Sequence, residues 1–259
     1  MPPLALLLPS LAHGGAQKVF LEVAGFLADE GENVVLVSLD RSGELLDRLP
    51  GNLPVRYLDE GLTERGGLKR LSQWFRLRKF IRTHNIGHVL STVTGMNIFV
   101  LSCFLFSKHV RVTIREATTL ENNPHLLITI LIRLLYPRSD KIICTSDYIK
   151  SQLLRNTRVE HQRITVLPNP IDMDYIRKRA SNIDHYIEPK TAATFRIVAV
   201  GRMIWAKGFD VLIEALAIAR KKYDIHLVIV GEGPERSRLE GICCRLNLID
   251  SVLFVGYQS

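Results

Sequence analysis

The chain has 259 residues, 47% of them hydrophobic, and a formal net charge of +8. That is enough apolar mass for one large or two modest packed domains, and it excludes wholesale disorder. Four scattered cysteines form no C-x-x-C pair and no metal-ligand spacing with histidine, so no metal site is expected and a reducing cytosol is the expected compartment.

The start, Pro3–Leu8, reads as a buried strand rather than a secretory leader, because no cation precedes it and Pro9 and a glycine pair follow. Gly14-Gly15 then opens a helix expected over Ala16–Glu30. Two readings stand for this pair: a loop whose backbone approaches a phosphate or sugar, or a tight turn that needs positive φ. Strands follow at Asn33–Ser38 and Val55–Leu58. The next helix, Leu68–Asn85, carries Leu68, Leu71, Trp74, Phe75 and Ile81 at helical spacing, with Lys69, Arg70, Arg76, Arg78, Lys79 and Arg82 between them. Residues 61–115 hold ten basic residues and one acid, Glu64. This block is either a solvated face or a contact with anionic lipid heads, peripheral on the inner face of a membrane, with Arg76, Lys79 and Arg82 as contact candidates. No nucleic-acid-binding motif accompanies the charge.

Further strands are expected at His88–Ser91, Val110–Ile114, Lys141–Cys144 and Ile164–Val166, and helices at Asn97–Phe106, His125–Tyr136 and Asp147–Leu154. The apolar runs Ile98–Phe106 and Leu126–Ile132 fall short of the roughly 18 residues a spanning helix needs, and read as core helices, with interfacial segments as the rival reading. Short continuous apolar strands alternating with helices predict an open doubly wound α/β domain over residues 1–170. Pro168-Asn169-Pro170 stops its last strand, and residues 171–194 read as a linker.

A second α/β unit occupies residues 195–259, with strands Phe195–Val200, His226–Val230 and Val252–Val255 and helices Phe209–Lys222 and Glu235–Leu246. Its final strand would be an uncovered apolar edge, so either the chain is truncated or a second chain completes the sheet. Within it, Gly201-Arg202-Met203-Ile204-Trp205-Ala206-Lys207-Gly208 lies between strand and helix. Glycine lets backbone approach an anion, the helix N-terminus adds partial positive charge, and Arg202 and Lys207 add fixed charge, a combination suited to a diphosphate. As ordinary surface cations they would oppose the helix dipole. Val230-Gly231-Glu232-Gly233-Pro234 ends the second strand there. It either brings backbone near a nucleotide or makes a plain turn. A dinucleotide fingerprint fails at Arg236, and no P-loop occurs.

Together these pieces resemble glycosyltransferase family 4, the group-1 family of the GT-B class. The resemblance rests on Gly14-Gly15-Ala16, Ser139-Asp140-Lys141-Ile142-Ile143-Cys144-Thr145-Ser146, Val166-Leu167-Pro168-Asn169-Pro170-Ile171-Asp172, Val200-Gly201-Arg202 with Lys207-Gly208, and Val230-Gly231-Glu232-Gly233-Pro234. It implies an α/β fold of two Rossmann-like doubly wound domains, here with the second incomplete. It also implies transfer of a sugar, with retention, from a nucleotide-diphosphate donor, possibly UDP-linked, to a saccharide or lipid-linked saccharide. By that likeness Arg202 and Lys207 hold the leaving diphosphate without a metal or other cofactor. Gly14, Gly15, Gly201, Gly231, Glu232 and Gly233 line the donor. Arg115, Glu116 and Asn169 are sugar or acceptor contacts; Arg115 and Glu116 stand where many members place a histidine, and pairing with each other on the surface is the rival reading. The family's two glutamates, seven residues apart, would fall beyond Ser259. An inactive or partner-dependent fragment is therefore the alternative to an enzyme.

Overall fold

The computed structural model describes residues 3–12, 14–62, 66–119, 126–171, 173–181 and 195–258. They fall into two units, Met1–Asp172 and Met173–Ser259. In the first, the apolar runs form β1 (Leu4–Leu8), β2 (Val34–Ser38), β3 (Val55–Tyr57), β4 (His88–Thr92), β5 (Arg111–Glu116), β6 (Lys141–Cys144) and β7 (Ile164–Val166). Every pairing is parallel, in the order β3-β2-β1-β4-β5-β6-β7.

A parallel sheet needs crossover helices, and these cover both its faces. They are α1 (Gly15–Asp29), α2 (Gly66–Thr83), α3 (Thr94–Phe104), α4 (Leu126–Leu135) and α5 (Asp147–Asn156). Strand alternation sorts the core into two layers. Leu6 and Leu8 of β1 cluster with Phe20, Leu21 and Ala24 of α1. Ala5 and Leu7 belong to the other cluster, with Leu77 and Ile81 of α2, Val100 of α3, Ile132 of α4 and Leu153 of α5. Strand order reverses between β1 and β4, and the carboxyl ends flanking such a reversal are where open α/β sheets receive ligands.

Three expectations need correction here. Helix α3 begins at Thr94 rather than Asn97, because Val93, its N-cap, takes φ 75° and turns the chain early. Helix α4 is not a core helix on all sides. Ile132 and Leu135 are buried, whereas Leu126, Leu127, Ile130 and Leu134 face outward. The span expected as a linker carries a helix, α6 (Met173–Ser181); residues 182–194 lie outside the described residues.

The second unit contains β8 (Phe195–Val200), α7 (Phe209–Ala219), β9 (Ile225–Val230), α8 (Arg236–Arg245) and β10 (Val252–Gly256). Its described sheet is parallel in the order β10-β9-β8. Met203, Phe209, Ile213, Leu227, Ile229, Leu239 and Ile242 form its core. The last strand was expected to be the bare apolar edge. Among the described residues both outer strands are edges, and β8 is the barer: Phe195, Val198 and Val200 are 66%, 58% and 76% exposed.

Candidate functional site

In the second unit the loops after β8 and β9 are closed onto one another. Gly201 N–H donates to Val230 O at 3.0 Å, Met203 N–H to Glu232 O at 2.9 Å, and Glu235 N–H to Met203 O at 3.1 Å. Two glycines make that approach possible. A Cβ on Gly231, whose φ is 136°, would lie 2.1 Å from Gly201 O, and one on Gly233 would lie 2.2 Å from Met203 O. Backbone cannot yield there, so these glycines serve loop-to-loop packing first. Buried Met203 plugs the space beneath the loop.

This closure leaves Arg202 and Lys207 exposed at the carboxyl end of β8. The stem of Lys207 folds back over Gly201, its Cδ 4.0 Å from where a Cβ of that glycine would stand. Lys207 ends a 3-10 turn, Trp205–Lys207, and Gly208 at φ 64° is the N-cap of α7. Two cations thus flank the positive end of an eleven-residue helix. Neither makes an ion pair among the described residues, whereas the neighbouring charges are spent on one another. Glu232 accepts from Arg236, which also reaches Glu240 at 2.9 Å. Arg238 bridges Glu235 at 2.7 Å and Asp210 at 3.1 Å, tying α8 to α7. Glu232, a donor-site candidate from the sequence, is therefore held by Arg236.

In the first unit Gly14-Gly15 lies at the carboxyl end of β1, beside the strand-order reversal. The positive-φ reading fails: Gly14 has φ −159°, extended backbone open to any residue. Nothing lies within 4 Å of a Cβ placed on Gly15, so this turn is open there, whereas one on Gly14 would fall 2.5 Å from Gln17 Oε1. Its brace escaped sequence reasoning. Gly43, at φ 124°, sits so close that its Cβ would fall 2.1 Å from the Leu11 backbone. Leu11 N–H donates to Ser42 O and Leu45 N–H to Leu11 O, both at 2.9 Å.

Across the reversal, the carboxyl ends of β4 and β5 carry a buried polar network. Arg115 and Glu116 are 6% and 1% exposed, so they do not form a surface pair. Neighbours on a strand point to opposite faces, and each has its own partners. Glu116 accepts from Tyr136 Oη at 2.6 Å, from Thr94 Oγ1 at 3.1 and 3.2 Å, and from the N–H groups of Ala117 and Thr118 at 3.1 Å. Burial pushes its carboxyl above the ordinary 4.5, and the Tyr136, Thr118, Thr94 and Ala117 donors pull the other way. Asn97 donates to Arg115 O at 2.9 Å and accepts from Ser91 Oγ at 2.7 Å.

Arg115 donates to Thr92 Oγ1 at 2.9 Å and to Asn169 Oδ1 at 2.5 Å. Both partners are neutral, and burial lowers the guanidinium pKa against the opposing charge of Glu116. Of the three sequence-predicted residues only Arg115 and Asn169 meet side chain to side chain; Glu116 sits with Thr94, Asn97 and Tyr136, and Asn97 links the two groups through Arg115 O. The polar residues Ser91, Thr92, Thr94, Asn97 and Tyr136 gave no sequence signal beyond polarity in apolar runs.

On α2, Arg76 is spent on backbone: it donates to Glu60 O at 2.5 Å and Leu58 O at 3.5 Å. Lys79 and Arg82 are exposed. Arg78 stacks on Trp74 at 4.8 Å and donates to Cys103 O. No helix among the described residues is long and apolar enough to cross a membrane, and no group of His, Cys, Asp and Glu among them could hold a metal ion.

The sequence pattern described as Glycosyltransferase Family 4 matches residues 13–175, and that described as Glycosyl transferases group 1 matches residues 183–259. The chain is 28% identical over 272 residues to N-acetylgalactosamine-N,N'-diacetylbacillosaminyl-diphospho-undecaprenol 4-alpha-N-acetylgalactosaminyltransferase of Campylobacter jejuni, covering 100% of this chain and 70% of that protein. It is 26% identical over 252 residues to an uncharacterized glycosyltransferase of Haemophilus influenzae, covering 93% of this chain and 65% of the relative. Among solved structures, Anabaena Alr3699/HepE in complex with UDP and glucose superposes with a TM-score of 0.74 at 15% identity, over 99% of this chain and 69% of that one. Sucrose-phosphate synthase from Thermosynechococcus elongatus gives 0.76 at 16% identity, over 100% and 71%. The chain therefore spans roughly two thirds of these relatives, and it belongs to Glycosyltransferase Family 4, with the α/β architecture of the GT-B class.

Proposed function

We propose that the protein transfers a sugar, with retention, from a nucleotide-diphosphate donor to a saccharide or lipid-linked saccharide acceptor. The second unit would hold the donor and the first the acceptor. The observation that carries this is the pair of cations, Arg202 and Lys207, with no ion pair among the described residues, beside the α7 N-terminus where Asp210, Glu232, Glu235, Arg236 and Arg238 are paired with one another. As the anomeric carbon bonds to the acceptor hydroxyl, its bond to the diphosphate oxygen breaks. The hydroxyl proton passes to the departing phosphate, and both cations stabilise the charge gathered there. Arg202 suits two oxygens at once and Lys207 acts as a point charge. The Campylobacter relative acts on a diphospho-undecaprenol, which favours a lipid-linked acceptor, and the HepE structure holds UDP, which favours a uridine donor.

Calorimetric titration of UDP tests this. Arg202→Ala and Lys207→Ala should each weaken binding about tenfold or more, since charge-assisted bonds contribute about 1.5–3 kcal/mol. Unchanged affinity with intact folding would reject both roles. A second reading is favoured by the bare β8 edge: these 259 residues are inert until another polypeptide adds a strand there. Transfer by the 259-residue chain alone would dismiss it.

A further inference from the structure

An open groove of about 700 Å³ lies at the amino ends of β5 and β6. The end of α3, the chain leading into β5 and the 3-10 turn after α4, Tyr136–Arg138, form its walls. Lys108, Arg111, Arg138 and Arg163 line it against one acid, Asp140. Gly14-Gly15 and Arg115 stand at the carboxyl ends of their strands, the opposite end of the sheet. The groove is therefore separate from the candidate site.

Cations near a helix end are ordinarily spent on its last carbonyls. Here the last two carbonyls of α3 are taken by other groups. Arg78 of α2 donates to Cys103 O, and Ser107 N–H donates to Phe104 O at 2.9 Å. In the turn, Ser139 Oγ donates to Tyr136 O at 2.7 Å, and Arg163 donates to Pro137 O at 3.3 Å and to Ser139 O at 3.2 Å. Arg163 also pairs with Glu160 at 3.3 Å, so it braces the turn. Asp140 is spent as well: its carboxylate accepts from Val112 N–H at 2.7 Å, and its own N–H donates to Val112 O at 2.9 Å. Lys108, Arg111 and Arg138 are exposed and make no ion pair or side-chain hydrogen bond among the described residues. The frame that presents them is fixed, with Ser139 buried behind Arg138 in sequence and Arg111 in register with His88. His88 reports the local field: burial lowers its pKa, and Arg111 and Lys141 lower it further against Asp140.

We infer that this groove binds a small soluble polyphosphate anion, its phosphate oxygens meeting Lys108, Arg111 and Arg138. Like charges set around one concavity repel one another, and a multiply charged anion relieves that repulsion. Each of the two arginines can meet two phosphate oxygens, and Lys108 acts as a point charge. A single carboxylate would leave most of these donors unmet, so two linked phosphates are the smallest class that matches them. Leu105, Val110 and Pro137 line the same space and leave room for an organic group on the anion. The site draws on none of the residues assigned to sugar transfer, so it stands whether or not the proposed reaction is correct.

The test is calorimetric titration of inorganic pyrophosphate into the 259-residue chain carrying Arg202→Ala/Lys207→Ala, which removes the clamp proposed for the donor. One site per chain should remain. Adding Lys108→Gln/Arg138→Gln should weaken it about tenfold or more, because two charge-assisted contacts are lost, and should flatten its salt dependence. Both residues are exposed, so circular dichroism should not change. Lys108→Arg/Arg138→Lys, which keeps the charge, should retain most of the affinity. With Arg202 and Lys207 intact, Lys108→Gln/Arg138→Gln should leave UDP affinity unchanged; a fall there would mean one shared site and overturn the proposal. Absence of any pyrophosphate site in the clamp variant, or equal affinity with and without the glutamines, would overturn it too. A phospholipid headgroup offers the same phosphate chemistry, so phosphatidylglycerol vesicles form a second arm. Sedimentation with them that the glutamines abolish, with no pyrophosphate bound, would assign the cations to headgroups and reject a soluble ligand. Pyrophosphate binding here without UDP binding in the parent would leave this site standing and reject the catalytic proposal.

Discussion

Tyr136→Phe isolates the energetics of the buried network. Tyr136 is fully buried and its hydroxyl donates to Glu116 Oε2 at 2.6 Å. The substitution removes one oxygen and no carbon, so the cavity term is small. What is lost is a short bond to a buried carboxyl, which is a charged acceptor only above its raised folded pKa. The remaining side-chain donors to Oε2 are longer, Thr94 at 3.2 Å and Asn97 at 3.5 Å, and cannot replace it. Bonds to charged groups contribute about 1.5–3 kcal/mol, so the first unit should lose about 2 kcal/mol at a pH above the raised folded pKa of Glu116. The loss should depend on pH. Glu116 has its folded pKa raised above 4.5, so the folded state binds the extra proton between 4.5 and that raised value, and its burial penalty grows as pH climbs through this window. The Tyr136 donor holds the folded pKa down and so offsets part of the penalty; the variant should raise it further. Below 4.5 the carboxyl is neutral in both states, the bond is an ordinary one, and the difference between variant and parent should shrink to about 1 kcal/mol. The assay is urea unfolding at several pH values, followed through Trp74 of α2 in a Trp205→Phe background. Trp205 is 79% exposed in the other unit, so its replacement costs little. A loss below about 0.5 kcal/mol above that raised pKa, or one that does not fall with acid, would refute the charged-acceptor account.

Two further outcomes follow from the glycines. Gly233→Ala must push apart the two closed loops, because its Cβ would meet Met203 O, C and N at 2.2, 2.7 and 2.8 Å. Overpacking plus the strained Met203–Glu232 bond should cost about 3 kcal/mol, seen as roughly hundredfold faster hydrogen exchange in β9; unchanged protection would contradict the packing. Gly15→Ala meets nothing within 4 Å, so the protein should keep its stability or gain about 0.4–1 kcal/mol while ligand affinity falls. An undiminished affinity would remove this turn from the binding surface.

Much of this molecule was legible before its coordinates. Runs such as Leu4–Leu8 and Lys141–Cys144 are short, apolar and bounded by turn residues, so their strands fell within a residue or two of the expected limits. The cations at 202 and 207 were legible for the same reason: a charge at a strand-to-helix turn is conspicuous against apolar flanks. Helix α4 was not. Eight of its ten residues are Leu or Ile, and a helix apolar on every side has no stripe to reveal which face is covered. Arg115 and Glu116 invited a pairing that the two-residue repeat of a strand forbids. Their real partners, Thr92, Asn169, Thr94 and Tyr136, lie 20 to 54 residues away, and no local rule brings them together.

The sequence alone determined the alternation of strand and helix, the division into two α/β units and the family, because these follow from local periodicity and from short motifs at fixed offsets. Only the tertiary structure decided which strand edge is bare, which cations are committed and which glycines hold loops apart from solvent. Those properties are set by what one segment meets from another, and parallel strands take their neighbours from distant parts of the chain.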